Sequence, residues 1–363
     1  MDTPLAAEIR ELIAADGPVP VSRYMALCLG HPRHGYYMTR DPFGTGGDFT
    51  TAPEISQVFG ELLGIWAASV WDSCGRPSPV RLVELGPGRG TLMADLLRAA
   101  GALPAFHAAL DIHLVETSPV LAARQRETLK GAPASWHADI GTVPPGPTIL
   151  IANELLDALP VRQFAMTPKG WRERVIGLAD GRLAFGLAPD PVPPEIIPEH
   201  LRQAGPGAVY ECCPAFEALC AALSRRASDA PLAALFIDYG HAGSAHGETL
   251  QAVKGHGFVD PLAEPGEADL TAHVDFEALG RAARAAGLAA SPISTQREFL
   301  FGLGLASRAE ALARANPAAF ETVRSGVERL VDPSPTGMGA LFKTIVLHES
   351  GTAIPVIPER ITP

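Results

Sequence analysis

The chain has 363 residues, 47% of them apolar and 19% charged, which is material for one large α/β domain with insertions or for two small domains, and not for a disordered chain. Twenty-nine basic residues against 40 acidic ones give a net charge of −11, which repels a nucleic-acid backbone and argues against a DNA- or RNA-coating role. No apolar run approaches the roughly 18 residues of a membrane span, and five cysteines with no CxxC pair fit neither a disulfide framework nor a structural zinc site.

The first residues, MDTPLAAEIRELIAADG, carry acids early and lack the basic start of a secretory or transit peptide. Lysine supplies only four of the 29 basic residues, a bias of GC-rich genomes, so the expected setting is a bacterial cytoplasm. Residues 1–78 read as a helical N-terminal cap with a lid loop. Thr3-Pro4 start a first helix with Leu5, Ile9, Leu12 and Ile13 on one face, and Ser22 to Leu29 form a second. The polar, glycine-rich stretch from His31 to Glu54 is too long for a simple connector. Thr51-Ala52-Pro53-Glu54 reads as a capping box. Ile55, Val58, Phe59, Leu62, Leu63, Trp66 and Val70 follow it at helical spacing.

From residue 79 onward the pattern is strand, loop, helix, repeated. Strands are expected at Val80–Leu85, Ile112–Glu116, Trp136–Ala138, Thr148–Ala152 and Leu232–Asp238, with a last one at Ala340–His348. Helices are expected at Thr91–Ala100, from the Ser118 cap to Leu129, and from the Asp275 cap to Ala286. This alternation implies a mostly parallel, doubly wound sheet covered on both faces. An insertion at about 160–230 reads as antiparallel: Gln163–Met166, Glu173–Leu178 and Leu183–Leu187, with turns at Lys169-Gly170 and Asp180-Gly181. A helix from Pro214 to Ala227 closes the insertion. Residues 241–274 read as a long loop, and 307–330 as two helices.

The most informative segment is Val83-Glu84-Leu85-Gly86-Pro87-Gly88-Arg89-Gly90-Thr91. A strand runs into glycines and then into a helix, whose free N–H groups suit a carboxylate or phosphate. A dinucleotide loop would read GxGxxG. Here the spacing is GxGxG, with the acid Glu84 two residues before Gly86, a pattern that resembles the first motif of class I methyltransferases using S-adenosyl-L-methionine. The expected donor-binding residues are Glu84, Gly86, Pro87, Gly88 and Gly90, with three positions at later strand ends. Glu116 is placed to accept from both ribose hydroxyls, Asp139 from the adenine amino group, and Asn153 lies beside the sulfonium. Asp139 before Gly141 equally reads as a turn residue.

Three stretches go beyond the superfamily: GYYMTRDPFGTGGDFTTAPEISQVFGELLGIW (35–66), VELGPGRGTLMADLL (83–97) and NELLDALPVRQF (153–164). Together with DLTAHVDF (269–276), they resemble the MidA family, methyltransferases tied in mitochondria to assembly of respiratory complex I. The resemblance spans roughly residues 5 to 348, with Leu155-Leu156 standing where two phenylalanines are expected. It implies a class I methyltransferase domain over 79–363, with an antiparallel last strand. It also implies symmetric dimethylation of a protein arginine on the NuoD-like, quinone-site subunit of complex I.

Guanidinium is a poor nucleophile because its charge is delocalised and its pKa exceeds about 12. A bidentate carboxylate fixes its plane, and a carboxylate takes the proton as the methyl arrives. The expected catalytic acids are Glu154, Asp157 and Asp48, with Glu54, Glu211 and Asp238 as further candidates. Glu154 and Asp157 share one face if a helix begins at Asn153. No histidine spacing such as HExxH suggests a metal. Two other readings stay open, a methyltransferase for small molecules and a non-catalytic assembly factor that binds the donor.

Overall fold

A computed structural model describes residues 3–44 and 47–349. Helix α1 (Pro4–Asp16) starts at Thr3, whose side chain accepts from the N–H of Ala6. Helix α2 (Val21–Gly30) follows a two-residue strand, Val19–Pro20. Thr51 makes no side-chain cap, contrary to the capping-box expectation. The chain instead forms a single turn, Ala52–Ile55, and breaks. Ser56, in extended conformation, then caps the long α3 (Gln57–Ser73) by accepting from Val58 N–H. Breaking there frees Glu54 to face Arg89.

The α/β alternation then follows in order: β1 (Val80–Leu85), α4 (Thr91–Ala100), β2 (Leu110–Val115), α5 (Pro119–Thr128), β3 (Ala134–His137) and β4 (Thr148–Asn153). The insertion supplies β5 (Arg162–Thr167), β6 (Gly170–Ala179), β7 (Arg182–Pro191), β8 (Val209–Cys212) and α6 (Ala215–Ala227). Strand β9 (Leu232–His241) returns to the central sheet. Beyond it lie β10 (Gln251–Lys254), β11 (Gly257–Val259), β12 (Asp269–Thr271), α7 (Phe276–Ala285) and β13 (Phe342–His348).

The central sheet runs β3-β2-β1-β4-β9, all parallel, and β13 adds antiparallel to β9. This is the doubly wound class I methyltransferase arrangement. Strands β4 and β9 read as continuous apolar runs because both of their faces are covered; Leu150, Ile151, Leu235 and Phe236 are sealed from solvent. Helix α3 packs into this core through Val58, Phe59, Leu62 and Trp66.

The insertion is an antiparallel sheet in which β6 pairs with β5 and β7, and β5 with β8. Val19–Pro20 joins it against Val175 and Ile176. Residues 241–274 are not a plain loop. They hold a three-stranded antiparallel sheet, β11-β10-β12, whose outer pairing joins Gln251 to Thr271 across the intervening turn. One apolar cluster, with Leu5, Ile9, Tyr24, Met25, Tyr36, Ile176 and Leu270, ties α1, α2 and both small sheets together. Three separate stretches of chain thus meet over the carboxyl ends of the central strands.

Candidate functional site

The glycine loop turns between β1 and α4 with Gly86, Gly88 and Gly90 at φ of 62°, 54° and 80°, a region side chains rarely occupy. A Cβ on Gly86 would lie 2.8 Å from Leu155 Cδ1, and one on Gly88 would lie 3.4 Å from the Phe43 ring. Gly90 N–H donates to Pro87 carbonyl at 2.8 Å and closes the turn. Gln125 on α5 braces the loop from below. Its amide donates to Gly88 carbonyl at 2.9 Å and to Glu116 Oε2 at 3.0 Å, and its oxygen accepts from Trp136 Nε1 at 2.9 Å. Sequence reasoning missed Gln125; its signal is a polar residue one turn after Leu121 on the buried stripe of α5.

Two joined hollows open against this loop. The smaller, about 30 Å³, is lined by Glu84, Pro87, Thr91 and Asn153 among others. The larger, about 340 Å³, is lined by Leu85, Val115, Glu116, Asp139, Ile140 and Leu155 among others. Both include Phe43, Gly86, Gly88 and Glu154. Glu116 Oε1 accepts from Ser118 N–H at 2.7 Å, so its carboxylate is fixed at the end of β2. Asp139 is exposed and spends one oxygen on Gly141 N–H at 2.6 Å, the turn role, while still lining the larger hollow.

Glu84 Oε2 and Asn153 Oδ1 are buried without a hydrogen-bond partner in the smaller hollow. Burial pushes the Glu84 carboxyl well above its ordinary range. Buried acceptors without donors are costly. An ammonium-bearing ligand such as S-adenosyl-L-methionine supplies the missing donors, so the residues present fit the donor.

The 31–54 loop folds over the glycine loop. Arg89 Nε reaches Asp41 Oδ2 at 2.8 Å, and its Nη1 lies 3.5 Å from Glu54 Oε1. Asp48 sits in this lid with both oxygens occupied. Tyr36 hydroxyl donates to one at 2.6 Å and Gly255 N–H to the other at 2.6 Å. Asp48 therefore binds the lid to the turn between β10 and β11.

Glu154 directly follows β4 in the left-handed region, φ 52°. No α-helix begins at Asn153; only a single 3-10 turn, Leu156–Ala158, follows. The one-face relation expected for Glu154 and Asp157 is therefore absent, because the left-handed residue stops helix propagation. Glu154 Oε1 accepts from Ala52 N–H at 2.8 Å and from Asn153 Nδ2 at 3.0 Å, and burial pushes its carboxyl up to about 7. Asp238 at the end of β9 holds the turn. Its Oδ2 accepts from the N–H groups of Leu155, Leu156 and Asp157 at 3.0, 2.8 and 3.2 Å. These bonds make Asp238, a candidate catalytic acid from the sequence, a residue that holds the turn.

Asp157 is buried, accepts the Tyr239 hydroxyl at 2.6 Å on Oδ2, and has no partner on Oδ1. Burial raises its carboxyl above the usual range. Asp269 on β12 accepts the Tyr37 hydroxyl at 2.8 Å, and burial and then the charge of Asp157 raise its carboxyl as well. Sequence reasoning did not nominate Asp269, although it opens the DLTAHVDF stretch. Glu211 binds Gln163 Nε2 at 2.7 Å, Thr249 N–H at 3.1 Å and the Thr249 hydroxyl, and so ties the insertion to β10. Among the described residues, no group of three or more His, Cys, Asp or Glu is placed to hold a metal. No helix among them is long and apolar enough to cross a membrane.

The profile of a family of S-adenosyl-L-methionine-dependent methyltransferases matches residues 62–294. The chain is 37% identical over 376 residues to the mouse mitochondrial protein arginine methyltransferase NDUFAF7, covering 96% of this chain and 85% of that one. It is 38% identical over 381 residues to the Drosophila melanogaster mitochondrial homologue, covering 94% and 84%. A crystal structure from Burkholderia thailandensis bound to S-adenosyl-homocysteine superposes with a TM-score of 0.86 at 33% identity, covering 96% of this chain and 92% of that one.

Proposed function

The chain belongs to the MidA-like family of S-adenosyl-L-methionine-dependent methyltransferases, and we propose that it methylates an arginine side chain of a protein. The observation that carries this reading is a cluster of acids at the donor cleft: Glu154, which lines both hollows, and behind it Asp157, Asp269 and the turn-holding Asp238. Their partners are backbone amides, two tyrosine hydroxyls and one asparagine amide. No Lys or Arg among the described residues forms an ion pair with any of them. Buried carboxylates without a cation are costly, and a guanidinium offers a permanent positive charge with N–H donors in one plane. The names of the mouse and fly relatives support the same acceptor.

The donor supplies an electrophilic methyl on a positively charged sulfur. The chain's own residues do the rest. Glu84 and Asn153 accept from the donor's ammonium, and the backbone of Gly86, Pro87, Gly88 and Gly90 leaves it room. Glu116 accepts from the ribose hydroxyls, and Asp139 from the adenine amino group. Glu154, common to both hollows, pairs with the acceptor guanidinium and takes its proton. Asp157 orients the same group. Asp48 acts by holding the lid. The first two helices and the lid act as a cap over the methyltransferase domain, and α3, expected as part of the 1–78 cap, belongs instead to the core of the 79–363 domain. The acceptor protein is a complex I subunit of the NuoD-like, quinone-site type, and the setting is a bacterial cytoplasm.

Incubating the pure protein with methyl-labelled donor and a lysate of its own source lacking this gene tests the reading. Label is expected on one protein band and is released by hydrolysis as dimethylarginine. Label in small molecules alone would favour the small-molecule alternative.

A further inference from the structure

The two hollows of the cleft have four lining residues in common, Phe43, Gly86, Gly88 and Glu154. S-adenosylmethionine is two pieces, a methionyl chain and an adenosyl group, joined at one sulfonium. Filling both hollows brings that junction to the four shared residues. The glycines offer backbone alone. The other two are an aromatic ring and a carboxylate, and both attract a cation, the ring through the negative face of its π-system.

We infer that Phe43 is a charge-reading residue of the donor site, which with Glu154 favours the sulfonium of S-adenosylmethionine over the uncharged sulfur of S-adenosylhomocysteine. Its placement is built in. Phe43 N–H donates to Asp41 Oδ1 at 3.2 Å, and the same carboxylate receives Arg89 Nε from the glycine loop. Phe43 and Phe49 form a T-shaped pair, with centroids 5.1 Å apart and planes at 78°. Gly44 N–H donates to Phe49 carbonyl at 2.9 Å and holds the two aromatic residues together. The lid therefore delivers the ring to the glycine loop, and the ion pair of Arg89 with Asp41 sets its position. Before transfer the bound sulfur is charged and both attractions act. Afterwards it is neutral and both lapse, which favours exchange of the spent by-product for fresh donor.

The inference rests on the methyl donor and not on the acceptor, so its failure leaves the arginine reading standing. Titration calorimetry at pH 8 tests it with S-adenosylmethionine, S-adenosylhomocysteine and sinefungin, in which an amine replaces the sulfonium. Phe43→Leu keeps apolar bulk and removes the π-face. It is expected to weaken the two cationic ligands about tenfold and S-adenosylhomocysteine less than about threefold. Phe43→Tyr is expected to keep the wild-type ratio. Equal losses for all three ligands with Phe43→Leu, complete loss included, or no change for any of them, would reduce Phe43 to an apolar wall and overturn the inference.

Discussion

Glu154 Oε1 accepts the backbone N–H of Ala52 at 2.8 Å, which joins the residue after β4 to the far end of the lid. The same carboxylate lines both hollows of the donor cleft. One side chain thus senses lid position and faces the place where methyl transfer is proposed.

Glu154→Gln keeps the Oε1 that accepts from Ala52, so the lid and the binding of uncharged S-adenosylhomocysteine should survive. The amide cannot take a proton, and its loss of charge removes the attraction for an acceptor cation. Single-turnover transfer is expected to fall by about 10²-fold or more, within the usual range for a general base, while calorimetric affinity for S-adenosylhomocysteine changes by less than about threefold. A wild-type single-turnover rate would remove Glu154 from the chemistry.

The raised carboxyl of Glu154 sets the sign of a pH effect. Its folded pKa of about 7 lies above the ordinary 4.5, so the folded state holds a proton that the unfolded chain has released. Stability from this group is therefore full below about pH 4.5 and is lost as pH rises through about 7. Near pH 5 wild type and Glu154→Gln should melt together. Near pH 8 the Gln variant should be the more stable, by up to about 3 kcal/mol. Melting curves of both proteins across that window decide it, and a gap that does not widen with pH would show that Glu154 is not strained by its charge. Transfer, by contrast, should rise through the same window as the base form appears.

Much of this architecture is legible in the sequence. Local chemistry fixes the strand–glycine–helix turn, the caps at Thr3, Ser118 and Asp275, and the hairpins at Gly170 and Gly181. Pairing between distant residues is not legible. The sheet within 241–274 depends on Gln251 meeting Thr271, and the Val19–Pro20 strand depends on Val175 and Ile176, more than 150 positions away. The site divides in the same way. The glycine loop and Glu116 announce themselves by position after a strand. Asp269 and Phe43 do not, because only the folded chain brings the lid to the cleft and β12 to Tyr37 on its wall. Thr51 shows a local signal overruled: Ser56 takes the cap, and Ala52 N–H goes to Glu154.

Gly88→Val should abolish donor binding. Gly88 sits at φ 54°, a conformation disfavoured for a β-branched residue, and its Cβ would meet the Phe43 ring at 3.4 Å. Valine adds two methyl groups beyond that Cβ, which would displace the ring or enter the cleft. Calorimetry should detect no S-adenosylhomocysteine binding, while circular dichroism shows a folded chain. Unchanged affinity in a folded variant would mean that the donor does not pass close to this backbone.

Asp238→Ala should damage stability rather than acceptor binding alone. Three consecutive backbone N–H groups, from Leu155 to Asp157, depend on one carboxylate oxygen, and Tyr239 N–H takes the other at 2.9 Å. Alanine leaves these donors buried and unmatched, at a cost of about 3–5 kcal/mol. It also frees the left-handed Glu154 turn to relax. Denaturant unfolding should show that loss at constant slope. Asp238→Asn, whose amide oxygen still accepts, should lose roughly half as much. If both variants unfold like wild type yet lose transfer, Asp238 belongs with the acceptor-binding acids and not with the turn.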